Sequence, residues 1–327
     1  MITRKIINNN FFYYKNNNKI LSKKIINRIN KLKIPPAYTN VEISEDPNKK
    51  IQATGYDSKL RKQYIYNHQF SEDQKEIKFC ELINFGKKIT KIRRDIKLNV
   101  NKKTISKEVL IYLILYLVDN CNFRIGSKKY KKLYDTYGVT TLNTSHIFFL
   151  KNYIKIKFVG KKNIINESII KNKNIIELLK ILCKINDKQE FIFCYQENNN
   201  IYSITDKSIN KFLQKKYNKS ITVKMFRTWN ANHILLKELI YNRPNDKDIP
   251  KIIKKVSNKL HNTPSVSKKN YINNELIKLY LHNKNIFFNL LLQYKKKRDM
   301  PSIDKVLNYY LNYLCRIENY KLKSLKN

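Results

Sequence analysis

The sequence IQATGYDSKLRKQYIY, residues 51–66, predicts an antiparallel β-hairpin. Strand-like segments at its two ends flank a turn-rich centre, Gly55 to Lys59, with the glycine, aspartate and serine that are typical of turns. Because side chains alternate across a strand, Tyr64 and Tyr66 lie on one face of the second strand and Gln63 lies on the other. A pair of aromatic side chains is therefore expected on one face of this hairpin.

The chain on either side of this hairpin follows two different patterns. Upstream, apolar runs broken by asparagines, together with the extended backbone imposed by Pro35-Pro36, predict strands through about residue 70. Downstream, from about residue 77, apolar residues recur at helical spacing, and Ser106 is placed to cap a helix through the apolar run 109–118. The alternating segment 154–159, which ends at Gly160, predicts one short strand pair within the helical part.

These patterns predict an α+β fold with two domains. We assign a small antiparallel β domain to residues 1–76 and a larger, mainly α-helical domain to residues 77–327. A hinge is expected within residues 67–80, where the pattern changes. A chain of 327 residues is long enough for two domains that each bury their own core.

The charge of the chain indicates a polyanionic partner. Lysine and arginine number 67 against 25 aspartates and glutamates, which gives a formal net charge of +42. Hydrophobic residues make up 42% of the chain, too many for a disordered basic tail, so the positive charge belongs to a folded surface. Nucleic acid is the first partner to consider, and an anionic membrane surface is the second.

Several classes of protein are excluded because their motifs are absent from the sequence. The five glycines are too far apart for a dinucleotide-binding or P-loop motif, and the five cysteines and five histidines lack CxxC and HxxxH spacings. No disulfide, metal site or cofactor is therefore predicted. The N-terminus lacks the apolar region of a signal peptide, and the longest apolar run is too short to cross a bilayer. A soluble, intracellular, reduced protein without membrane association is expected.

Three basic segments with interleaved aromatics are the candidates for function: residues 122–130, 224–229 and 261–271. Taken singly, each is more typical of a surface helix whose lysine stems cover apolar neighbours. Their combination along one chain favours a common function.

Motifs in these segments resemble the DNA topoisomerase IB family, most closely its compact poxvirus-type members. Upstream, KIPPAY at residues 33–38 and the QATGYD and RKQYIY blocks of the hairpin are similar to signature blocks of that family. Downstream, the similar motifs are RIG at 124–126, FVGK at 158–161, KxxR at 224–227 and TPSVSKxxY at 263–271. The resemblance covers most of the chain. It implies the catalytic fold that type IB topoisomerases share with tyrosine recombinases.

The resemblance also implies transfer of a DNA phosphodiester to a tyrosine without a metal. Tyr271 matches the nucleophile, and Arg124 and Arg227 match the arginines that hold the non-bridging phosphate oxygens. Lys161, which follows Gly160 at a hairpin tip, matches the acid that protonates the leaving 5′-oxygen. The phosphotyrosyl bond retains the energy of the broken phosphodiester, which agrees with the absence of a P-loop.

One catalytic position departs from the family pattern. The family usually has a histidine nine residues before the tyrosine, whereas this chain has Asn262 there and His261 one residue earlier. Either Asn262 donates an amide hydrogen bond to the same phosphate oxygen, or a local shift lets His261 take the role. We favour Asn262, because the spacing of the segment that leads to Tyr271 is undisturbed.

Residues that contact DNA are implied by the same resemblance. The matching positions are Gln63, Tyr64, Tyr66, Lys129, Tyr130 and Lys224. Lys129 and Tyr130 lie in a segment similar to the family's major-groove helix, where Ser127 replaces a lysine, so part of the site preference does not carry over. For the two hairpin tyrosines, an ordinary half-buried sheet face is the alternative interpretation.

Double-stranded DNA is the implied partner, bound by a monomer that closes around it as a clamp. The implied location is the virion and the host-cell cytoplasm, with the nucleus not excluded.

Two alternatives stay open. A tyrosine recombinase shares the catalytic fold but usually has His-x-x-Arg where this chain has Lys224-x-x-Arg227. A non-enzymatic DNA-packaging protein would use charge alone and would not depend on Tyr271.

Overall fold

The structure is a computed structural model that describes residues 1–102, 104–296 and 302–324. The chain divides into two compact units, Met1–Lys78 and Phe79–Asn327. The first unit is built on an antiparallel sheet, and most of the second is helical. The fold is therefore α+β, as predicted.

The first unit is a six-stranded sheet with one helix on it. Its elements are β1 (Ile2–Ile7), β2 (Asn10–Lys15), β3 (Asn18–Lys19), α1 (Lys23–Lys31), β4 (Thr39–Ile43), β5 (Ile51–Tyr56) and β6 (Lys62–Tyr66). The strand order is β3-β2-β1-β4-β5-β6, with antiparallel neighbours throughout. The predicted hairpin is confirmed as β5–β6, in which Thr54 pairs with Tyr64.

Helix α1 corrects the prediction that this region contains only strands. Ile25, Ile26 and Ile29 recur at helical spacing and pack with the core of the sheet, where Ile29 is fully buried. The lysines and asparagines between them form the polar face of an amphipathic helix, a pattern that the prediction of strands overlooked. Gln52, in the QATGYD block, is also buried, and its amide donates to backbone carbonyls of the β4–β5 loop, including that of Lys49 at 2.6 Å. This glutamine therefore holds the loop in place.

Helix α2 (His68–Val100) begins in the first unit and continues into the second. It starts earlier than predicted because the Asn67 side-chain oxygen accepts hydrogen bonds from the backbone N–H groups of Gln69 (2.8 Å) and Phe70 (3.4 Å). An asparagine in this position caps a helix N-terminus. A continuous helix therefore occupies most of the stretch in which a hinge was predicted.

The second unit consists of helices around one hydrophobic core, with two small sheets. After α2 come α3 (Lys107–Asn120), α4 (Lys128–Tyr134), β7 (Ile147–Phe149), β8 (Ile154–Gly160), β9 (Ile164–Ile170), α5 (Lys173–Ile185), β10 (Cys194–Glu197), β11 (Asn200–Ser203), α6 (Asp206–Lys216), α7 (Lys224–Tyr241), α8 (Ile249–Lys259), α9 (Pro264–Asn270), α10 (Asn274–His282), α11 (Lys284–Lys296) and α12 (Ile303–Ser324). The β8–β9 hairpin was predicted, whereas the β10–β11 pair was missed.

Two helices form the centre of this core. Nearly all of α3 is buried, and the predicted cap is confirmed because the Ser106 hydroxyl accepts from the Val109 N–H at 3.3 Å. Helix α7 buries Phe226 and Trp229, whose rings pack edge-on against Phe85 of α2 at 4.9 and 5.8 Å between centroids. Among the residues described, no helix is both long and apolar enough to cross a membrane.

A disulfide between Cys80 of α2 and Cys315 of α12 overturns the prediction of a reduced chain without disulfides. The Cα atoms lie 5.9 Å apart although the two cysteines are separated by 235 residues in sequence. Pairing depends on the distance between Cα atoms after folding, which spacing along the chain does not reveal. The other three cysteines, Cys121, Cys183 and Cys194, are free thiols.

Candidate active site

Arg124 is held on the loop between α3 and α4 by close backbone packing. Its carbonyl accepts a hydrogen bond from the Val139 N–H at 2.9 Å. Gly126 has φ +86° and lies directly against Gly138, where a Cβ on either residue would collide with the backbone of the other. Only glycine at both positions allows this approach. The two glycines therefore fix the direction in which Arg124 leaves the loop.

Arg227 lies in the first turns of α7 and is only 3% exposed. Its Nη1 donates to the Asn122 carbonyl, and its Nη2 donates to the Leu260 carbonyl at 2.7 Å. Burial and the nearby charge of Arg124 lower the pKa of Arg227 to about 10, so it stays charged at neutral pH. Lys224, one turn earlier, is exposed at the start of the same helix.

Tyr271 follows α9 and is held by its backbone. Its N–H donates to the Ser267 carbonyl at 2.9 Å, and its own carbonyl accepts from the side-chain amide of Asn232 at 2.8 Å. Thr263 caps the start of α9 through its hydroxyl. Because Asn232 and Arg227 share helix α7, the position of Tyr271 is fixed relative to Arg227.

The surroundings of the Tyr271 phenol are strongly positive. The Tyr271 ring is 9% exposed, and the Arg227 guanidinium lies over it at 5.2 Å from the centroid. Burial by itself would raise the pKa of this phenol. The charges of Arg227, Arg124 and Lys224 and a hydrogen bond with Arg227 outweigh burial, so the pKa of Tyr271 lies below its ordinary value of 10.0. The phenolate is therefore easier to form here than in water.

Asn262 and His261 point toward different groups. Asn262 Oδ1 accepts a hydrogen bond from Arg124 Nη2; because a guanidinium only donates, the amide atom that faces Arg124 is the oxygen. His261 Nε2 instead donates to the Cys121 carbonyl at 3.0 Å, and its ring packs beside Phe123. Burial lowers the pKa of His261, which favours the neutral ring. Asn262, rather than His261, accompanies Arg124 in this structure.

Three of the buried donors that lack a hydrogen-bond partner among the residues that the structure describes belong to the two arginines and to Asn262. They are Arg124 Nη1, Arg227 Nε and Asn262 Nδ2. Unpartnered buried donors are costly, so such a group indicates a missing acceptor. Since all three atoms donate and two belong to cations, the acceptor that fits is an anion with several oxygens, such as a phosphate.

Lys161 lies at the tip of the β8–β9 hairpin, directly after Gly160. The next two residues, Lys162 and Asn163, have positive φ values of 64° and 58° and make the tight turn. Phe158 of β8 packs edge-on against Phe123 at 4.9 Å, which ties the hairpin to the Arg124 loop. Lys161 is exposed as a whole residue, yet partial burial and the charge of Arg124 lower its pKa. A lowered pKa makes the ammonium a better proton donor.

The predicted DNA-contacting residues lie on three surfaces. In the first unit, Tyr64 and Tyr66 are exposed with stacked rings 6.3 Å apart, while Gln63 is half-buried and donates to the Asp57 carboxylate at 3.0 Å. In the second unit, Lys129 and Tyr130 are exposed on α4. Of these six residues, only Lys224, exposed at the start of α7, has a charge that lowers the pKa of Tyr271 and of Lys161.

Three buried asparagines, whose roles were not predicted from the sequence, lie beneath the cluster: Asn122, Asn230 and Asn232. They carry no sequence signal, because asparagine is abundant throughout this chain. No group of three or more His, Cys, Asp or Glu residues that could hold a metal ion occurs in the part of the chain that the structure describes.

A β unit followed by a helical unit with paired arginines, a hairpin lysine and a buried tyrosine is an arrangement suited to an enzyme that acts on a phosphodiester. The family model described as the catalytic core of eukaryotic DNA topoisomerase I matches residues 62–286, more than half of the chain. The model described as the N-terminal domain of bacterial DNA topoisomerase IB matches residues 10–57. The chain therefore belongs to the type IB DNA topoisomerase family, a family of isomerases whose substrate is DNA.

Similar proteins occur in several viruses. The chain is 33% identical to "DNA topoisomerase 1B" of Acanthamoeba polyphaga mimivirus, over 90% of this chain and 89% of that protein. It is 28% identical to "DNA topoisomerase 1" of Rabbit fibroma virus, over 77% and 80% of the two chains. It is 25% identical to "DNA topoisomerase 1B" of Vaccinia virus, over 76% and 79%. These matches favour the topoisomerase over the two alternatives from the sequence, a tyrosine recombinase and a DNA-packaging protein.

Proposed function

We propose that the chain relaxes supercoiled duplex DNA by cutting one strand through Tyr271, letting the duplex rotate, and rejoining the strand without ATP or metal. The observation that carries this proposal is the set of three unpartnered donors on Arg124, Arg227 and Asn262. The Arg227 guanidinium lies over the Tyr271 ring, the charge of Arg124 acts on the Tyr271 phenol, and Asn262 is hydrogen-bonded to Arg124. Those donors fit the oxygens of a phosphate, and the phenol is the nucleophile next to them.

The chemistry is an exchange of one phosphoester for another. Tyr271 Oη attacks the phosphorus, the bond to the 5′-oxygen breaks, and the strand is left with a 3′-phosphotyrosyl end. Arg124, Arg227 and Asn262 hold the two non-bridging oxygens, on which negative charge increases in the transition state. Religation is the reverse reaction, in which the 5′-hydroxyl attacks and the phenolate leaves.

Lys161 supplies the proton that the departing 5′-oxygen needs. It lies near Arg124 and Tyr271, whose charges act on its pKa, and its lowered pKa suits an acid. During religation the same amine takes the proton back from the 5′-hydroxyl.

Lys161→Ala is expected to slow cleavage by about 10²–10⁴ on an ordinary substrate, the range that general acid catalysis contributes. The defect should largely disappear on a substrate with a 5′-bridging sulfur, because a thiolate leaves without a proton. Single-turnover cleavage of the two substrates measures this difference. Lys162→Ala, on the same hairpin tip, is the control and should affect both substrates little. If Lys161→Ala slows cleavage of the ordinary and the 5′-bridging-sulfur substrates equally, Lys161 acts only through its charge and is not the general acid.

Asn262→Ala is expected to slow cleavage by about 10–10², which is at or below the roughly 10²–10³ typical of losing one donor to a developing oxyanion, because two arginines remain. Asn262→His should retain most of the activity, since an imidazole N–H fills the same role. His261→Ala should slow cleavage only mildly, because the His261 ring is hydrogen-bonded to the Cys121 carbonyl. Single-turnover cleavage by the three variants decides between them. A severe defect in His261→Ala with near-normal Asn262→Ala would mean that the histidine is the catalytic partner.

The DNA-binding surfaces complete the proposal. We assign base contacts to Gln63, Tyr64 and Tyr66 of the β domain, residues 1–76, and groove and phosphate contacts to Lys129, Tyr130 and Lys224 of the catalytic domain, residues 77–327. The exposed, stacked tyrosine rings support this role, because ordinary core packing would bury them. We further propose that the chain acts as a monomer that closes as a clamp around the duplex, in the virion and the host-cell cytoplasm. The viral source of the similar proteins supports this location.

The direct test of this function is to trap and locate the covalent intermediate. In a duplex with a nick a few nucleotides beyond the cleavage site, cleavage releases a short fragment that carries the 5′-hydroxyl. Without this hydroxyl the strand cannot be rejoined, so the adduct accumulates. Peptide mapping of that adduct should place the nucleotide on the peptide that contains Tyr271. A nucleotide on any other residue, or an adduct at a 5′-end, would contradict the proposal.

A further inference from the structure

The Arg227 guanidinium is oriented by two carbonyls that flank the site. Its Nη1 donates to Asn122, two residues before Arg124, and its Nη2 donates to Leu260, two residues before Asn262. Two anchored nitrogens fix the plane of a guanidinium, so these contacts determine where the unpartnered Nε points. The orientation of Arg227 therefore depends on the conformation of Asn122.

Asn122 has an uncommon backbone conformation that its side chain stabilises. Its φ of +54° lies in the left-handed region, which asparagine tolerates better than most residues do. Its side-chain Oδ1 accepts a hydrogen bond from Asn230 Nδ2 at 3.0 Å, and Asn230 Nδ2 also donates to the Asp119 carbonyl at 2.7 Å. Asn230 thus connects Asn122 to the end of α3.

Asn230 is itself fixed by a half-buried cluster of ion pairs around Arg93. Its Oδ1 accepts from Arg93 Nη2 at 3.0 Å. Arg93 makes two hydrogen bonds to Asp119, at 2.7 and 3.0 Å, and a third to Asp304 at 2.6 Å. Asn230 lies three residues after Arg227 on α7, so one helix carries both the arginine and the residue that fixes its acceptor.

We infer that Asn230 and Asn122 are positioning residues for the reaction: together they aim the Asn122 carbonyl at Arg227 and so set the direction of its free N–H. The inference rests on the proposed function, since Arg227 has to meet a phosphate for its direction to matter. A purely structural role for the two asparagines would alter stability without a specific dependence on Arg227.

A double-mutant cycle separates these two roles. Asn230→Ala is expected to slow single-turnover cleavage by about 10–100-fold, as loss of a supporting hydrogen bond behind a reacting group does, with little change in DNA affinity. In an Arg227→Ala background, Asn230→Ala should slow single-turnover cleavage by less than about a further twofold. The reason is that the effects of two residues that act through one another are not additive. Asn122→Gly keeps the left-handed backbone without the side chain, and it should resemble Asn230→Ala.

Asn186→Ala is the matched control. Asn186 is a buried asparagine of the same unit, and its amide donates to the Ile192 carbonyl at 2.9 Å and the Cys194 carbonyl at 3.2 Å. Its loss should lower the melting temperature and leave cleavage by the folded protein unchanged. Three results would each overturn the inference. The first is cleavage by Asn230→Ala at the wild-type rate, and the second is a slowing of cleavage by Asn230→Ala that is as large in the Arg227→Ala background as in the wild type. The third is a cleavage defect of Asn230→Ala that is no larger than that of Asn186→Ala. A wild-type chain that forms no Tyr271 adduct would overturn the proposed function as well, so the two failures are distinguishable.

Discussion

Tyr271→Phe is expected to abolish both the covalent DNA adduct and plasmid relaxation while leaving DNA affinity nearly unchanged. The substitution removes only the phenolic oxygen, and the ring stays in place under the Arg227 guanidinium. Loss of a covalent nucleophile costs at least about 10⁴ in rate, because the remaining groups have nothing to activate. Single-turnover cleavage on a denaturing gel, with affinity measured on the same duplex, checks both parts.

Tyr280→Phe is the control for this experiment. Tyr280 is a buried tyrosine of the same unit whose hydroxyl donates to the Pro244 carbonyl at 2.8 Å. Its removal should lower the free energy of unfolding by about 1 kcal/mol, the usual net value of one hydrogen bond, and leave cleavage intact. Adduct formation by Tyr271→Phe would mean that another residue attacks the phosphorus.

DNA binding is expected to weaken steeply with salt, by about 10³–10⁵ between 50 and 200 mM, if six to ten phosphates are neutralised. The physical reason is the release of counterions from DNA by a protein of net charge +42. Binding isotherms across this range, plotted as log affinity against log salt, give the slope. A slope shallower than about −3 would contradict an extensive contact with the phosphate backbone.

Two variants separate phosphate contacts from base contacts in that measurement. Lys129→Ala, on the exposed face of α4, should flatten the slope by at most about one unit. Tyr64→Ala removes an uncharged exposed ring, so it should change the preferred cleavage site more than it changes the slope.

The sequence predicted those features that depend on local pattern. The β5–β6 hairpin has its turn residues in place, Ser106 immediately precedes an apolar helix, and Gly160 ends an alternating strand. The motifs around Arg124 and Tyr271 likewise indicate the family from the sequence alone. In these places one short segment contains the whole signal.

Features that depend on contacts between distant segments could not be predicted. The Cys80–Cys315 disulfide joins residues that are 235 positions apart, and the Asn230 hydrogen bond to Asn122 spans 108 positions. Helix α1 is a different case, because its isoleucines already lie at helical spacing in the sequence and the helix could have been predicted. In an asparagine-rich chain, composition does not distinguish a buried structural amide from a solvated one.

The most direct test of the account is relaxation of a negatively supercoiled plasmid by the purified chain in EDTA and without ATP, with aliquots run on native and denaturing gels. Complete relaxation is expected, together with a small fraction of DNA linked to protein at a 3′-end when the reaction is stopped with detergent. Tight binding of the plasmid with neither relaxation nor a covalent adduct would contradict it.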